Sequence, residues 1–153
     1  MRNIWTRALW GGAAGIVAMD AILLLGRAGG WLTYNLLGSL ASPFTTRGVA
    51  FSPSGMILGF VIHILVGALW ALLFTAVIRA FRSRHNIIAG VINGLLIWLL
   101  WGILFPPLGL GSAPWNLGTS TTAFTLAASL AYGVILGWFT SEEFVGAETT
   151  GGP

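Results

Sequence analysis

Two residues whose side chains can carry protons or bind metals, Asp20 and His63, stand inside strongly apolar runs of the chain. Asp20 lies in GGAAGIVAMDAILLLGRAGG, residues 11–30, and His63 lies in GFVIHILVGALW, residues 59–70. A carboxylate near the centre of a bilayer costs roughly 2.5–3.5 kcal/mol on insertion scales, so it is expected to face protein or water and to have a partner. The pair therefore indicates a proton-handling site or a polar lock between helices.

Helical rise puts the two residues at similar depth. Measured from the arginine-bearing ends of their segments, Asp20 lies at about 20 Å and His63 at about 24 Å, at 1.5 Å per residue. Two further polar residues, Ser129 and Asn93, come at about 20 Å and about 12 Å by the same rise. Because the first two segments are consecutive and antiparallel, contact between Asp20 and His63 is feasible.

Several interpretations of these polar residues stay open. Asp20 and His63 could form a structural hydrogen bond, a contact with a second chain, or a proton or cation relay assisted by Ser129 and Asn93. Gly59 and Gly67 flank His63 at a spacing of four. They would leave room for a flat haem or chlorin over the helix, with His63 as its axial ligand.

Familiar catalytic patterns are missing. The sequence has no HExxH, no GxSxG, no phosphate-binding glycine loop and no cysteine. It has a single aspartate, Asp20, whereas aspartyl proteolysis within a membrane needs two. We therefore expect no enzyme, no metal site and no resident cofactor, with a haem or chlorin at His63 as the alternative.

Composition assigns the chain to membrane proteins. Of 153 residues, 56% are hydrophobic and 7% are charged, against roughly 25% charged in soluble domains. The net charge is +3, all the basic residues are arginines, and the basic residues closest together, at positions 79–84, adjoin an apolar run. This distribution does not indicate nucleic-acid binding and predicts the lipid bilayer as the main partner.

Four apolar runs reach the ~20 residues that a spanning helix needs, at about 8–28, 55–79, 86–106 and 121–140. They predict an all-α, polytopic four-helix bundle over residues 1–141, followed by a short acidic flexible tail, 142–153. Residues 29–54 are expected to form an outer loop. Within that loop Trp31, Tyr34 and three leucines favour a short helix lying in the membrane interface and ending before Pro43.

Arginines set the expected topology. They flank the start of the first run and fill the link between the second and third runs, while the link between the third and fourth runs, 106–120, is uncharged. By the positive-inside rule both termini are then cytoplasmic, in a multi-pass membrane protein.

Glycines at a spacing of four form small-residue ridges, which allow close helix packing in lipid. They are Gly11, Gly15, Gly55, Gly59, Gly67, Gly90, Gly94, Gly133 and Gly137. Two weak similarities, AGIV at 14–17 with AGVI at 89–92, and His63-x3-Gly67 with Ser129-x3-Gly133, favour two copies of one helical hairpin.

The first run places Gly11 and Gly15 opposite Asp20, so this helix is expected to need protein on both sides. Since a four-helix bundle supplies neighbours on about one side of each helix, we expect a partner chain on the other. The preferred prediction is a non-catalytic subunit that packs through its glycine ridges against other integral membrane subunits, in a respiratory or photosynthetic assembly. The alternatives are a small homo-oligomeric ion or proton transporter or channel using Asp20 and His63, and a haem- or chlorin-binding subunit.

The segments GGAAGIVAMD, HILVGALWALLF and ASLAYGVILGWF resemble small uncharacterised bacterial four-helix membrane proteins. Those proteins carry a Gly/Ala-rich first helix ending in Met-Asp and hairpin helices with His-x3-Gly-x3-small spacing. In that pattern the fourth helix can also carry a histidine, where this chain has Ser129, and this departure disfavours a two-histidine site. The resemblance implies a fold and no activity.

Overall fold

The structure is a computed structural model that describes residues 3–81 and 85–141, and all regular structure in these ranges is helical. Its helices are α1 (Ile4–Ala28), α2 (Leu36–Ala41), α3 (Arg47–Ala50), α4 (Pro53–Ala80), α5 (Asn86–Leu104) and α6 (Thr119–Phe139). Single 3-10 turns occupy Ser42–Phe44 and Pro114–Asn116. Of these helices, α1, α4, α5 and α6 are long and apolar enough to cross a membrane. The predicted acidic tail, 142–153, lies outside the described residues.

Local signals shift the helix ends from the predicted ones. The first helix begins at Ile4 rather than near residue 8, because the Asn3 side chain accepts a hydrogen bond from the Trp5 amide and caps it. The helix α5 stops at Leu104, short of the predicted residue 106. Phe105 still has helical backbone angles, but the proline at 106 has no amide hydrogen and cannot form the next hydrogen bond of the helix.

The four long helices pack in the spatial order α4, α1, α6, α5. Extensive contacts join α4 to α1, α1 to α6 and α6 to α5, whereas α4 and α5 touch at only a few points although they are consecutive in the chain. The result is a bundle with one open seam, between α4 and α5. If the chain consists of two copies of one hairpin, α1 matches α5 and α4 matches α6. The open seam between α4 and α5 then corresponds to the closed contact between α6 and α1.

The helix α1 has protein on both sides within its own chain. A Cβ added to Gly15 would lie 2.7 Å from the Tyr132 ring of α6, and one added to Gly12 would lie 2.7 Å from the Ala71 Cβ of α4. The expectation that one side of this helix requires a partner chain is therefore wrong. Sequence periodicity could not reveal that α1 is a central helix of the bundle.

The glycine ridges also pack inside the chain. An added Cβ would meet α6 side chains at Gly11 and Gly15, the Ile16 side chain at Gly67, and the backbone of the α2–α3 segment at Gly55 and Gly59. At the crossing of α5 and α6, Cβ atoms would meet the opposite backbone at Gly90, Gly94, Gly133 and Gly137. Every predicted ridge glycine thus serves a contact within this chain, which leaves none of them for another subunit.

The segment between α1 and α4 contains the expected short helix, α2, which ends at Ala41, before Pro43. Asn35 caps α2 by accepting from the Gly38 amide, and all six residues of α2 are buried. The short helix packs against α4, where the Leu37 backbone covers Gly59. Because Gly59 has no side chain, the backbone of α2 can approach α4 closely.

Polar contacts fasten the arginine-bearing end of the bundle. Arg7 donates to the Ser141 carbonyl at 3.0 Å, and the Asn86 amide donates to the Thr140 carbonyl at 2.7 Å. The Arg79 guanidinium lies 5.8 Å from the Trp5 ring centroid. These contacts place the start of α1, the ends of α4 and α6 and the start of α5 at one end of the molecule.

Candidate functional site

Asp20 and His63 meet in the interior. His63 Nδ1 and Asp20 Oδ1 are 2.8 Å apart, and the two residues are 7% and 3% exposed. Asp20 shares the buried face of α1 with Ile16, Met19 and Leu23, so the helix period turns its carboxyl towards α4. The structure therefore brings together the two titratable residues that the sequence singles out within the apolar runs.

The second ring nitrogen of His63, Nε2, has no hydrogen-bond partner among residues 3–81 and 85–141. The second carboxyl oxygen of Asp20, Oδ2, is sealed from solvent and is likewise unpartnered within these ranges. Since Nδ1 is turned to Asp20, Nε2 is the imidazole atom left to meet a ligand.

His63 lines a cleft of about 220 Å³ at the open seam between α4 and α5. Residues from five helices bound the cleft: His63, Val66 and Trp70 of α4, Ile97 and Trp101 of α5, Ile16 and Met19 of α1, Leu36 and Leu40 of α2, and Tyr132 of α6. Phe105, directly after α5, completes the wall. Its walls are therefore apolar and rich in aromatic rings, with the imidazole as a polar group among them.

The other predicted polar residues do not join the pair. Asn93 of α5 accepts a hydrogen bond from the Trp70 indole at 2.9 Å, which bridges α4 and α5. Ser129 of α6 is fully buried next to Gly94 at the α5–α6 crossing, and its hydroxyl has no hydrogen-bond partner in the described part of the chain. The relay envisaged through all four residues is thus not assembled by this geometry.

Sequence reasoning missed Tyr132, which lines the cleft. The residue is 1% exposed, and its hydroxyl donates to the Gly67 carbonyl of α4 at 2.8 Å. A tyrosine inside an apolar run, beside the small residues Ser129 and Gly133, was the available signal. Its hydrogen bond ties α6 to α4 behind α1.

The macrocycle notch expected around His63 is filled by protein. The Leu37 backbone lies against Gly59, and the Ile16 side chain lies against Gly67. A haem or chlorin laid over this face of α4 would overlap both. The residues present therefore do not fit the predicted tetrapyrrole, and we derive no chemistry from one.

No group of three or more His, Cys, Asp or Glu side chains that could hold a metal ion occurs in the described ranges. The site consists of one carboxyl–imidazole pair, and its histidine lines an apolar cleft. Such a site can bind, orient or hydrogen-bond a small molecule that enters the cleft.

Comparisons with known proteins give a family and no closer relative. No curated protein matches the chain, and no solved structure matches it. One family model matches residues 1–144, and its description is a family of unknown function, DUF6789. Because the match spans nearly the whole sequence and both helical hairpins, the chain belongs to the DUF6789 family.

Proposed function

We propose that the chain is a four-span protein of the bacterial cytoplasmic membrane, with both termini in the cytoplasm. Support comes from four long apolar helices and from large apolar side chains exposed on the outer surface, among them Leu25, Leu65, Leu69 and Ile103. Arg7 and Arg79 lie at one end of the bundle, which the positive-inside rule assigns to the cytoplasm.

Within that membrane the protein acts as a non-catalytic subunit that binds a small apolar molecule dissolved in the bilayer. The observation that carries this proposal is the cleft between α4 and α5, with the unpartnered His63 Nε2 at its wall. Ligand sites are typically apolar concavities with a few placed polar groups, and they occur between the helices of bundles.

The cleft offers space for a small apolar molecule at the open seam. Such a molecule would give the side chains on its walls the close contacts that are typical of protein interiors. Helices α4 and α5 are consecutive in the chain and yet touch at only a few points. Residues of α2 and aromatic side chains line the space between them, so the seam could close only if these residues moved.

We also propose assembly with other integral membrane subunits, but through a different surface from the glycine ridges. The ridge glycines are used internally, so a partner would contact the apolar outer faces of α4 and α5. We do not propose ion or proton transport, because Ser129 and Asn93 do not extend the Asp20–His63 pair into a chain of hydrogen bonds within the described residues.

Filling the cleft tests the binding function. Val66 borders the cleft and is half exposed, so Val66→Trp should project an indole into the opening. Native mass spectrometry of protein released from its own membrane should detect a bound small molecule that this variant loses. The matched control is Leu69→Trp on the same helix, which is 69% exposed and away from the cleft, and which should keep the adduct.

Two results would count against the proposal. An adduct retained by Val66→Trp, or no adduct on the unmodified protein, would remove the binding function. The same spectra report the native mass: co-migrating chains support the subunit assignment, and a lone monomer would contradict it.

A further inference from the structure

We infer that the molecule in the cleft carries a carbonyl oxygen that accepts a hydrogen bond from His63 Nε2–H, as a membrane-soluble quinone does. This inference rests on the proposed binding function and names the ligand class for the same site. It follows from the charge that the Asp20–His63 pair can carry at its depth in the protein.

The pair is buried, and among the described residues no other aspartate, glutamate, arginine or histidine lines the cleft. An isolated charge in a low-dielectric interior is strongly disfavoured, so the pair is stable when its total charge is zero. A neutral carboxylic acid that donates from Oδ1 to Nδ1 satisfies this condition, and so does a carboxylate paired with an imidazolium. A carboxylic acid with its proton on Oδ2, accepting at Oδ1 from Nδ1–H, is also neutral, but its buried O–H would have no acceptor, since Oδ2 is unpartnered within the described residues.

In the first two of these neutral arrangements Nε2 carries a hydrogen. When the carboxylic acid donates to Nδ1, the neutral imidazole keeps its proton on Nε2, and an imidazolium has protons on both nitrogens. The group that His63 presents to the cleft is therefore a donor. A ligand that satisfies it must offer an acceptor, and an alcohol or phenol hydrogen would not.

The depth of His63 and the shape of the cleft limit which molecules can supply this acceptor. His63 lies about 15 Å along α4 from its outer end at 1.5 Å per residue, deep within a hydrocarbon core of roughly 30 Å. Ester carbonyls of lipids lie near the interface, so an acceptor at this depth belongs to a molecule dissolved in the core. Trp70, Trp101, Phe105 and Tyr132 line the cleft and favour a flat ring.

The volume of the cleft is large enough for one ring of a ligand. About 220 Å³ is somewhat below the range of roughly 300–1,000 Å³ typical of sites for drug-sized ligands. One quinone ring fits such a space when its apolar tail leaves through the seam between α4 and α5. A macrocycle does not.

The test compares three probes on the whole protein in phosphatidylcholine nanodiscs: a short-tailed alkyl benzoquinone, its hydroquinone, and the alkylbenzene that lacks both oxygens. We expect His63→Phe to weaken binding of the benzoquinone about tenfold, as loss of one good hydrogen bond does, and to leave the alkylbenzene unchanged. The carbonyl stretch of the bound benzoquinone should lie at lower wavenumber with unmodified protein than with His63→Phe.

A second variant keeps the experiment decisive if His63→Phe fails to fold with Asp20 left alone. Asp20→Leu combined with His63→Phe removes the whole pair, and it should show the same selective loss of benzoquinone binding. Equal affinity for benzoquinone and alkylbenzene, both abolished by Val66→Trp, would overturn the carbonyl inference while leaving the binding function intact.

Two other outcomes are equally informative. Tighter binding of the hydroquinone, lost in His63→Phe, would mean that Nε2 is an acceptor and would overturn the inference. Failure of all three probes to bind, with an acyl chain found in the cleft instead, would overturn both the inference and the proposed function.

Discussion

At the scale of single residues, several polar side chains inside the bundle form hydrogen bonds between the long helices. The Asp20–His63 pair links α1 to α4, the Tyr132 hydroxyl bonds the Gly67 carbonyl, and Asn93 accepts from the Trp70 indole. A polar group in an apolar interior is costly unless it is bonded, so each pair fixes the relative position of two helices. Several buried polar atoms of the described residues lack a partner, among them Asp20 Oδ2 and the Ser129 hydroxyl. His63 Nε2 marks the candidate site because His63 also lines the cleft.

The contact between Asp20 and His63 should contribute to the stability of the fold. His63→Ala should lower the free energy of unfolding by about 3–5 kcal/mol, because it leaves the Asp20 carboxyl buried without its partner. Replacing both partners, in Asp20→Leu/His63→Phe, should recover much of the loss. Denaturant unfolding in a fixed detergent measures all three proteins.

Leu65→Ala serves as the control, since Leu65 is on the same helix and is 65% exposed. Its stability should change little. If the single and double variants at Asp20 and His63 are equally destabilised, the contact contributes nothing specific and the pair is not a lock.

At the scale of elements, small residues decide which helices come close. Gly90 and Gly133 face each other where α5 crosses α6, and a Cβ on either would meet the carbonyl oxygen of the other. In lipid the hydrophobic effect does not drive helices together, so close packing and weak polar contacts must do so. This crossing explains why α5 packs on α6 and not on α4.

Gly133→Ala should therefore separate α5 from α6 and lower stability by about 1–3 kcal/mol, the range seen for overpacked interiors. Gly48→Ala is the matched control, because a Cβ at this exposed glycine of α3 would meet nothing within 4 Å. It should change stability by no more than about 0.5 kcal/mol. Thermal unfolding of both variants in one detergent gives the comparison, and equal melting temperatures would rule out a close crossing.

At the scale of the whole molecule, two tightly packed hairpins meet through α1 and α6 and stay apart at α4 and α5. The asymmetry comes with a longer link in the first hairpin, whose helix α2 lies on α4 and lines the top of the cleft. In the proposed function, this open seam is the route by which a molecule dissolved in the membrane would reach His63. The proposed orientation puts the link that carries α2 on the outer side.

Topology can be tested directly because the natural chain has no cysteine. Ser112→Cys lies in the exposed, uncharged segment after α5, and Ser83→Cys lies in the arginine-rich link. In intact cells a membrane-impermeant maleimide should label Ser112→Cys, whereas Ser83→Cys should react only after lysis. The opposite pattern would invert the proposed orientation.

The sequence by itself determined the class of protein and the approximate positions of the four long helices. Runs of apolar residues dictate helix, because backbone groups in lipid must bond internally, and their length dictates spanning. Depth arithmetic also placed Asp20 near His63. These are properties of each segment or of two consecutive segments, and they need no knowledge of the other neighbours.

Only the tertiary structure decided which faces meet. That α1 is central, that α2 is buried on Gly59, that Tyr132 reaches Gly67 and that α4 stands apart from α5 all depend on neighbours far away in sequence. A glycine ridge in the sequence predicts that another element can approach closely, but it does not identify that element. The partner is chosen by the fit of all helices at once, and that choice placed His63 beside an open cleft.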